Sequence, residues 1–106
     1  MKRKRRHPAS IIRQEPCTCF LCARVGLNIK YTELERHHIF FGSANRIKAE
    51  EHGLTVNLCK WHHLVVHSNV KESRKLQAYA QGVWESLPGN GREQWMDLFH
   101  RNYRED

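Results

Sequence analysis

The sequence has no long hydrophobic run, little glycine or proline, and no internal repeat. None of its 106 residues falls in a stretch that approaches the roughly 18 consecutive apolar residues of a transmembrane helix, so we expect no membrane partner. With 6 glycines and 3 prolines, it also lacks low-complexity segments outside its basic start. Because 40% of the residues are hydrophobic, one compact domain is the expected architecture.

Acidic residues are few, with 11 against 18 lysines and arginines, and the net charge is +7. Five of the basic residues form one run: Lys2, Arg3, Lys4, Arg5 and Arg6. The remaining 13 basic residues leave a net charge of only +2. We therefore interpret residues 1–10 as a disordered basic arm and residues 11–106 as a single domain. Such arms bind polyanions by releasing counterions, which favours DNA as the partner; the alternative is a solubilising or targeting tail.

The basic start also differs from a secretory signal, so the expected localisation is cytoplasmic. That compartment keeps thiols reduced and excludes a disulfide framework. A domain of this size has a marginal core and needs another source of stability. All four cysteines and six of the eight histidines lie between Cys17 and His67. This concentration predicts bound metal.

Two ligand pairs have the spacing of a zinc knuckle, Cys19-x2-Cys22 and Cys59-x2-His62. A two-residue gap lets both side chains of a tight turn reach one tetrahedral ion. Thiolates suit Zn²⁺, and a closed set of four ligands is structural rather than catalytic. Cys17 could replace Cys19 through a longer spacing. We favour Cys19, because CxxC is the commoner knuckle, and interpret Cys17 as a free, exposed thiol.

Further histidines remain once the zinc ligands are assigned. His63 and His67 are spaced i, i+4 on a predicted helix and project from the same face. Either His37 or His38 could complete a three-histidine site with open positions for water and substrate, which is the composition of a catalytic metal site. The alternative is that these histidines are satisfied structural residues. Arg36, Arg46 and Lys48 are candidates for holding flanking phosphates of DNA.

The hydrophobic pattern predicts a mixed α+β domain. We expect strands at about 31–36 and 54–58, separated by a loop that Gly42, Ser43 and Asn45 mark. A helix is expected over 60–67, and two helices over 70–103 whose aromatic residues cover the core rather than stack on bases.

The segment Glu35-Arg36-His37-His38-Ile39, followed by residues 54–63 and His67, resembles the HNH (His-Me finger) endonucleases. The Cys19-x2-Cys22 knuckle is similar to that of their zinc-containing subgroup. More narrowly, residues 19–103 resemble small phage and prophage HNH proteins related to RecA-dependent recombination-enhancement nucleases. The resemblance implies a ββα-metal core at about 17–69 with a structural zinc knuckle, followed by C-terminal helices at about 70–103.

The resemblance also implies roles for individual residues. His37, His63 and His67 would bind one catalytic divalent ion (Mg²⁺, Mn²⁺, Ni²⁺ or Zn²⁺), His38 would be the general base, and Glu35 would orient an imidazole. The middle asparagine of the family falls at Leu54, so that Asn45 or Asn57 would have to replace it.

The expected function is metal-dependent hydrolysis of DNA in phage recombination or DNA processing, with a recombinase filament as a further partner. The alternatives are a non-catalytic zinc-finger DNA-binding module and an RNA-directed nuclease.

Overall fold

The computed structural model describes residues 9–104, and the basic run at 2–6 lies outside them. The described chain is a small mixed structure of helices and one two-stranded sheet. Its elements follow in the order α1 Phe20–Arg24, β1 Glu35–His38, α2 Ser43–Glu51, β2 Thr55–Leu58, α3 Lys60–Ser68, α4 Val70–Glu85 and α5 Arg92–Phe99. No helix in this part of the chain is long and apolar enough to cross a membrane.

The sheet pairs β1 with β2 in antiparallel register, with His37 opposite Val56 and His38 opposite Thr55. The strand predicted at 54–58 is present as β2, because three of its four residues are buried and pack into the core. The strand predicted at 31–36 is displaced to Glu35–His38. Tyr31 is held elsewhere, since its N–H donates to the Cys17 carbonyl at 2.9 Å. Pairing with β2, rather than the weak alternation of residues 29–34, sets the position of β1.

The prediction of a loop between the two strands is wrong, because Ser43–Glu51 forms α2. Gly42 is the N-cap of this helix, with a φ of 93°, and the Arg46 N–H donates to its carbonyl at 2.8 Å. Glycine and serine are therefore signals of a helix start here. Only Ala49 of α2 is buried, and Ile47 is 62% exposed, so the sequence has no apolar stripe to indicate a helix.

The chain before the knuckle is already fixed to β2. Ser10 Oγ donates to the Thr55 carbonyl at 2.6 Å, and the Ile11 N–H donates to the Gly53 carbonyl at 2.9 Å. Gly53 has a φ of 69°, and a Cβ at this position would lie 2.5 Å from the Ala9 carbonyl oxygen. Ser10 therefore belongs to the folded domain rather than to the predicted arm.

The aromatic residues of the C-terminal segment form the core, as the sequence predicts. Phe40, which follows β1, is completely buried and contacts the rings of Trp95, Phe99 and Tyr103 at centroid distances of 4.8–5.2 Å. The two predicted helices are α4 and α5. They hold the end of β1, and hence His37 and His38, against the rest of the domain.

Phe40 and Phe41 provide a matched test of this core. Phe40→Ala should lower the free energy of unfolding by about 3–5 kcal/mol, because it removes a fully buried ring. Phe41→Ala should change it by less than about 0.5 kcal/mol, because the Phe41 side chain is 56% exposed. Urea denaturation followed by circular dichroism measures both, and equal losses would contradict the described packing.

Candidate functional site

Two helix starts bring the knuckle residues together. Cys19 is the N-cap of α1, and its Sγ accepts a hydrogen bond from the Cys22 N–H at 3.4 Å. Cys59 is the N-cap of α3 and accepts from the His62 N–H in the same way, also at 3.4 Å. Each pair thus uses one local geometry, in which a thiol caps a helix and the second ligand lies three residues later.

The four donor atoms of Cys19, Cys22, Cys59 and His62, here called the Cys3His cluster, all lie within 4.8 Å of one another. His62 Nδ1 is 3.3–3.4 Å from each of the three sulfurs, and Cys22 Sγ is 3.9 Å from Cys59 Sγ. A tetrahedral zinc site with ordinary bond lengths has N···S edges of about 3.5 Å and S···S edges of about 3.8 Å. The three cysteines are buried and none is in a disulfide, so the cluster is compatible with a structural zinc ion.

The surroundings of the cluster shift the pKa values of Cys19 and Cys59 in opposite directions. Burial raises the pKa of Cys19 to about 11. Burial acts in the same direction on Cys59, but hydrogen bonds from the His62 N–H and from neighbouring side chains outweigh it and lower the pKa of Cys59. The Tyr31 hydroxyl lies 3.1 Å from Cys22 Sγ, a contact that the sequence did not indicate. A divalent cation compensates the charge of buried thiolates, and its binding releases their protons.

Cys17 is not part of the cluster. Its side chain is exposed, and its backbone has a φ of 62°. The structure therefore agrees with Cys19, rather than Cys17, as the first knuckle ligand.

A second group of ligand atoms comes from β1 and α3. His37, His63 and His67, here called the three-histidine pocket, place their donor nitrogens within 4.8 Å of one another. His63 Nε2 and His67 Nε2 are 3.1 Å apart, and the His37 ring lies 5.1 and 5.4 Å from the other two ring centroids. The sequence left His37 and His38 as alternatives for the third position, and the structure brings His37 there.

His37 has an unusual environment. Its side chain is 2% exposed, and its Nε2 has no hydrogen-bond partner within residues 9–104. A buried ring nitrogen without a partner costs free energy. Burial, followed by the nearby His63, His67 and His38 rings, lowers the pKa of His37 to about 3. The imidazole is thus neutral near pH 7, with a lone pair available for a cation, so that the residues present fit a metal ion.

A carboxylate supports the pocket from outside. Glu35 Oε1 lies 2.5 Å from His63 Nδ1, which leaves the Nε2 of this ring directed toward His67. Carboxylates that bind the outer ring nitrogen of a histidine fix its orientation and tautomer. The resemblance implies that Glu35 orients an imidazole, and the imidazole that it contacts is that of His63.

His38 lies next to the pocket but is held by a different residue. Its Nε2 is 2.7 Å from Glu50 Oε1, and Arg36 donates to both oxygens of Glu50 at 3.3 Å. Sequence reasoning missed Glu50 because it lies on α2, which was predicted as a loop. The Gly42-Ser43 pair is the signal that would have placed Glu50 on a helix. The packing of α2 on β1 then brings the Glu50 carboxylate to His38.

The other predicted residues fall into two groups. Arg36 and Arg46 line a cleft of about 180 Å³ together with His37, His38, His63, His67 and Phe41. Lys48 does not line this cleft, because its ammonium donates to the Leu98 carbonyl and lies 5.9 Å from the Phe99 ring centroid. Lys48 therefore secures α2 to the end of α5.

None of the residues considered for the middle asparagine contacts His38. Leu54 is completely buried in the core. Asn57 is exposed on β2, and its backbone N–H donates to Gln14. Within the described chain, the Asn45 side chain makes no hydrogen bond and lines a groove beside the cleft. Glu50 makes the hydrogen bond to the His38 ring.

The Cys3His cluster should stabilise the domain through its ion. Cys22→Ser should abolish stoichiometric zinc binding and lower Tm by at least about 10 °C, because much of the folding free energy of a small domain comes from its structural metal. Cys17→Ser is the matched control and should leave zinc content and Tm unchanged. Native mass spectrometry and calorimetry measure the two quantities. A Cys22→Ser protein that keeps both would show that Cys22 is not a ligand of a structural ion.

The comparisons with known proteins give no relative from which these roles can be transferred. No protein-family model matches the chain, and neither the curated proteins nor the solved structures give a match. The functional interpretation therefore depends on the geometry of the two histidine- and cysteine-containing groups.

Proposed function

We propose that this protein is a metal-dependent DNA endonuclease of the HNH (His-Me finger) type. The observation that carries the proposal is the three-histidine pocket, in which the buried His37 offers a ring nitrogen within 4.8 Å of those of His63 and His67, and its Nε2 has no hydrogen-bond partner among residues 9–104. His38, on the adjacent position of β1, lies in the same cleft as Arg36 and Arg46. A hydrolytic phosphodiesterase needs this combination of an open ion site, a base and cations for phosphate.

The order of the elements supports a ββα-metal core as the scaffold of this site. Two antiparallel strands precede α3, and β1 contributes His37 while α3 contributes His63 and His67. The Cys3His cluster lies at the beginning of α3 and so stabilises the helix that carries two of the three imidazoles. An open three-ligand site and a closed four-ligand site thus divide the catalytic and structural roles.

Three imidazoles favour Ni²⁺, Zn²⁺ or Mn²⁺ by ligand softness, and an open site also admits Mg²⁺. When bound, such an ion would act as a Lewis acid toward a phosphate oxygen and toward the leaving oxygen. His37, His63 and His67 would hold it through one ring nitrogen each, and Glu35 contacts the His63 ring from the other nitrogen and so fixes its orientation.

The remaining residues act on water and on phosphate. Because the Glu50 carboxylate accepts a hydrogen bond from His38 Nε2, Nδ1 is the ring nitrogen left to accept a proton from water. An imidazole is a suitable base near neutral pH. Arg46 binds the phosphates beside the scissile one, and Arg36 also holds the Glu50 carboxylate in place.

The alternatives explain less of the structure. A non-catalytic zinc-finger module accounts for the Cys3His cluster but gives no use to the buried His37 nitrogen or to the three-histidine pocket. An RNA-directed nuclease would use the same residues, so cleavage of matched DNA and RNA oligonucleotides distinguishes it. A role in phage recombination and association with a recombinase filament stay predictions, as does DNA binding by Lys2, Arg3, Lys4, Arg5 and Arg6.

The roles of His37 and His38 can be separated by mutation. His37→Ala should weaken the binding of Mn²⁺ or Ni²⁺, so that a high metal concentration partly restores cleavage of supercoiled plasmid. His38→Ala should keep the metal affinity but lower the cleavage rate by about 10²–10⁴-fold, as expected for a lost general base. Calorimetric titration and gel assays measure both effects, with zinc content as the control for folding.

Two outcomes would change this assignment. If His38→Ala loses the ion and His37→Ala retains it, the two roles are exchanged. If both variants cleave at the wild-type rate, the cleavage does not come from this site, so the endonuclease proposal is wrong and the DNA-binding module becomes the better explanation.

Glu50 should act through His38. Glu50→Gln should lower kcat by about 10–100-fold, the range found for partners that orient a histidine, with little change in KM. In a His38→Ala background, the same substitution should have no further effect, because the two residues form one unit. Glu51→Gln, on the next, exposed residue of α2, is the control. Additive losses in the double variant would show that Glu50 works independently of His38.

A further inference from the structure

A continuous groove leads away from the three-histidine pocket. The cleft at the pocket and a neighbouring groove of about 540 Å³ share Phe41 and His67 in their walls. That groove in turn shares Arg74 and Arg101 with a third depression of about 670 Å³, which Lys71 also lines. The path therefore runs from the end of β1, across the beginning of α4, to the residues after α5.

The charge of this path has one sign. No aspartate or glutamate lines any of the three depressions, within residues 9–104. Arg46, Lys71, Arg74 and Arg101 make no ion pair with any described carboxylate. The Arg101 guanidinium instead lies 5.0 Å from the Tyr103 ring centroid, an arrangement that leaves its N–H donors available. Four cations without an ion-pair partner among the described residues, spaced along this path, are complementary to a polyanion.

Beyond Glu35, which contacts His63, the charges are different. The depression formed by residues 31–35 and 59–61 contains two carboxylates, Glu33 and Glu35, against one cation, Lys60. Like charges disfavour a phosphate backbone there. A strand that places one phosphate at the three histidines is thus directed toward Arg74 and Arg101.

Phe41 lies at the junction of the cleft and the groove. Its ring is 56% exposed, whereas the adjacent Phe40 is completely buried. An exposed aromatic ring beside arginines is the arrangement with which proteins bind unpaired bases, because every base can stack on a ring face. In a duplex the base faces are covered by their neighbours.

We propose that the DNA strand leaves the cleft along this groove as single-stranded DNA, with its phosphates on Arg74 and Arg101 and a base stacked on Phe41. The direction of the strand relative to the scissile phosphate rests on the proposed endonuclease function. The preference for an unpaired segment rests on Phe41 and on the uncompensated arginines.

Binding in the full-length His38→Ala protein tests this proposal without cleavage. The probes are a labelled single-stranded DNA of about 12 nucleotides, within the site sizes of single-strand binders, and a hairpin duplex of the same sequence. Arg74→Gln and Arg101→Gln should each make the slope of log K against log salt shallower by about 0.7, the value for one phosphate contact on a single strand. Arg13→Gln, which removes an exposed arginine outside the groove, should leave the slope unchanged.

Phe41→Ala should weaken binding of the single strand by about 5–150-fold without changing the salt slope, because it removes stacking rather than charge. Phe41→Trp should keep the affinity for the single strand. The affinity for the hairpin should be the same in the Phe41→Ala, Phe41→Trp and unsubstituted Phe41 proteins. Unchanged Tm values exclude a folding defect. If the Arg74→Gln and Arg101→Gln proteins have the same salt slope as the Arg13→Gln protein, the DNA does not lie along the groove. If Phe41→Ala weakens binding of the hairpin as much as binding of the single strand, the bound DNA is not single-stranded.

The endonuclease proposal fails by a different measurement. If the protein with His38 intact cleaves plasmid but the groove variants bind normally, only the groove proposal is wrong. If the groove variants behave as expected but no divalent metal supports cleavage, the groove is a DNA-binding surface and the endonuclease proposal is wrong.

Discussion

The described domain depends on the Cys3His cluster, in which three sulfurs and one imidazole lie together between α1 and α3. Cys22 and Cys59 are separated by 37 residues in sequence, yet their sulfurs lie 3.9 Å apart. Because Cys59 directly follows β2 and caps α3, the cluster fixes where the strand ends and where the helix begins. The sheet of the described residues has only two short strands, so the cluster adds a direct link among α1, the end of β2 and α3 to the packing of the core. The three-histidine pocket depends on that placement, since it takes one imidazole from the strand and two from the helix.

The metal-ligand groups could be predicted from the sequence because their spacing is local. CxxC, CxxH and His-x3-His each lie within one turn of chain, where backbone geometry alone brings the side chains together. The strand at 54–58 and the C-terminal helices were also predictable, since their apolar residues recur with the period of the element. What could not be predicted is what depends on tertiary contact. The position of β1 follows from its partner strand, and α2 buries only Ala49, so neither has a pattern of its own.

The same distinction between local spacing and tertiary contact explains which site residues could be predicted from the sequence. Glu35 lies two positions before His37, and its role could be proposed because the resemblance to the HNH endonucleases implies it. Glu50 is 12 residues from His38, and only the packing of α2 on β1 brings its carboxylate to the ring. Lys48 shows the reverse case, because a basic residue near the histidines in sequence is turned toward Leu98 by the same helix. Charge and proximity along the chain therefore do not distinguish a residue of the cleft from one that secures the scaffold.

His62 and His63 are neighbours on α3 but belong to different groups of ligands. Successive residues of a helix point about 100° apart, and this angle separates the Cys3His cluster from the three-histidine pocket. An insertion or deletion of one residue between His62 and His67 would rotate at least one imidazole of the three-histidine pocket away from its partners, while His62 stayed in the Cys3His cluster. The exposed connection at residues 25–30 carries no such restriction. Among proteins that descend from a common ancestor with this chain, length variation should accumulate in that connection, whereas the first two turns of α3 should keep a constant number of residues.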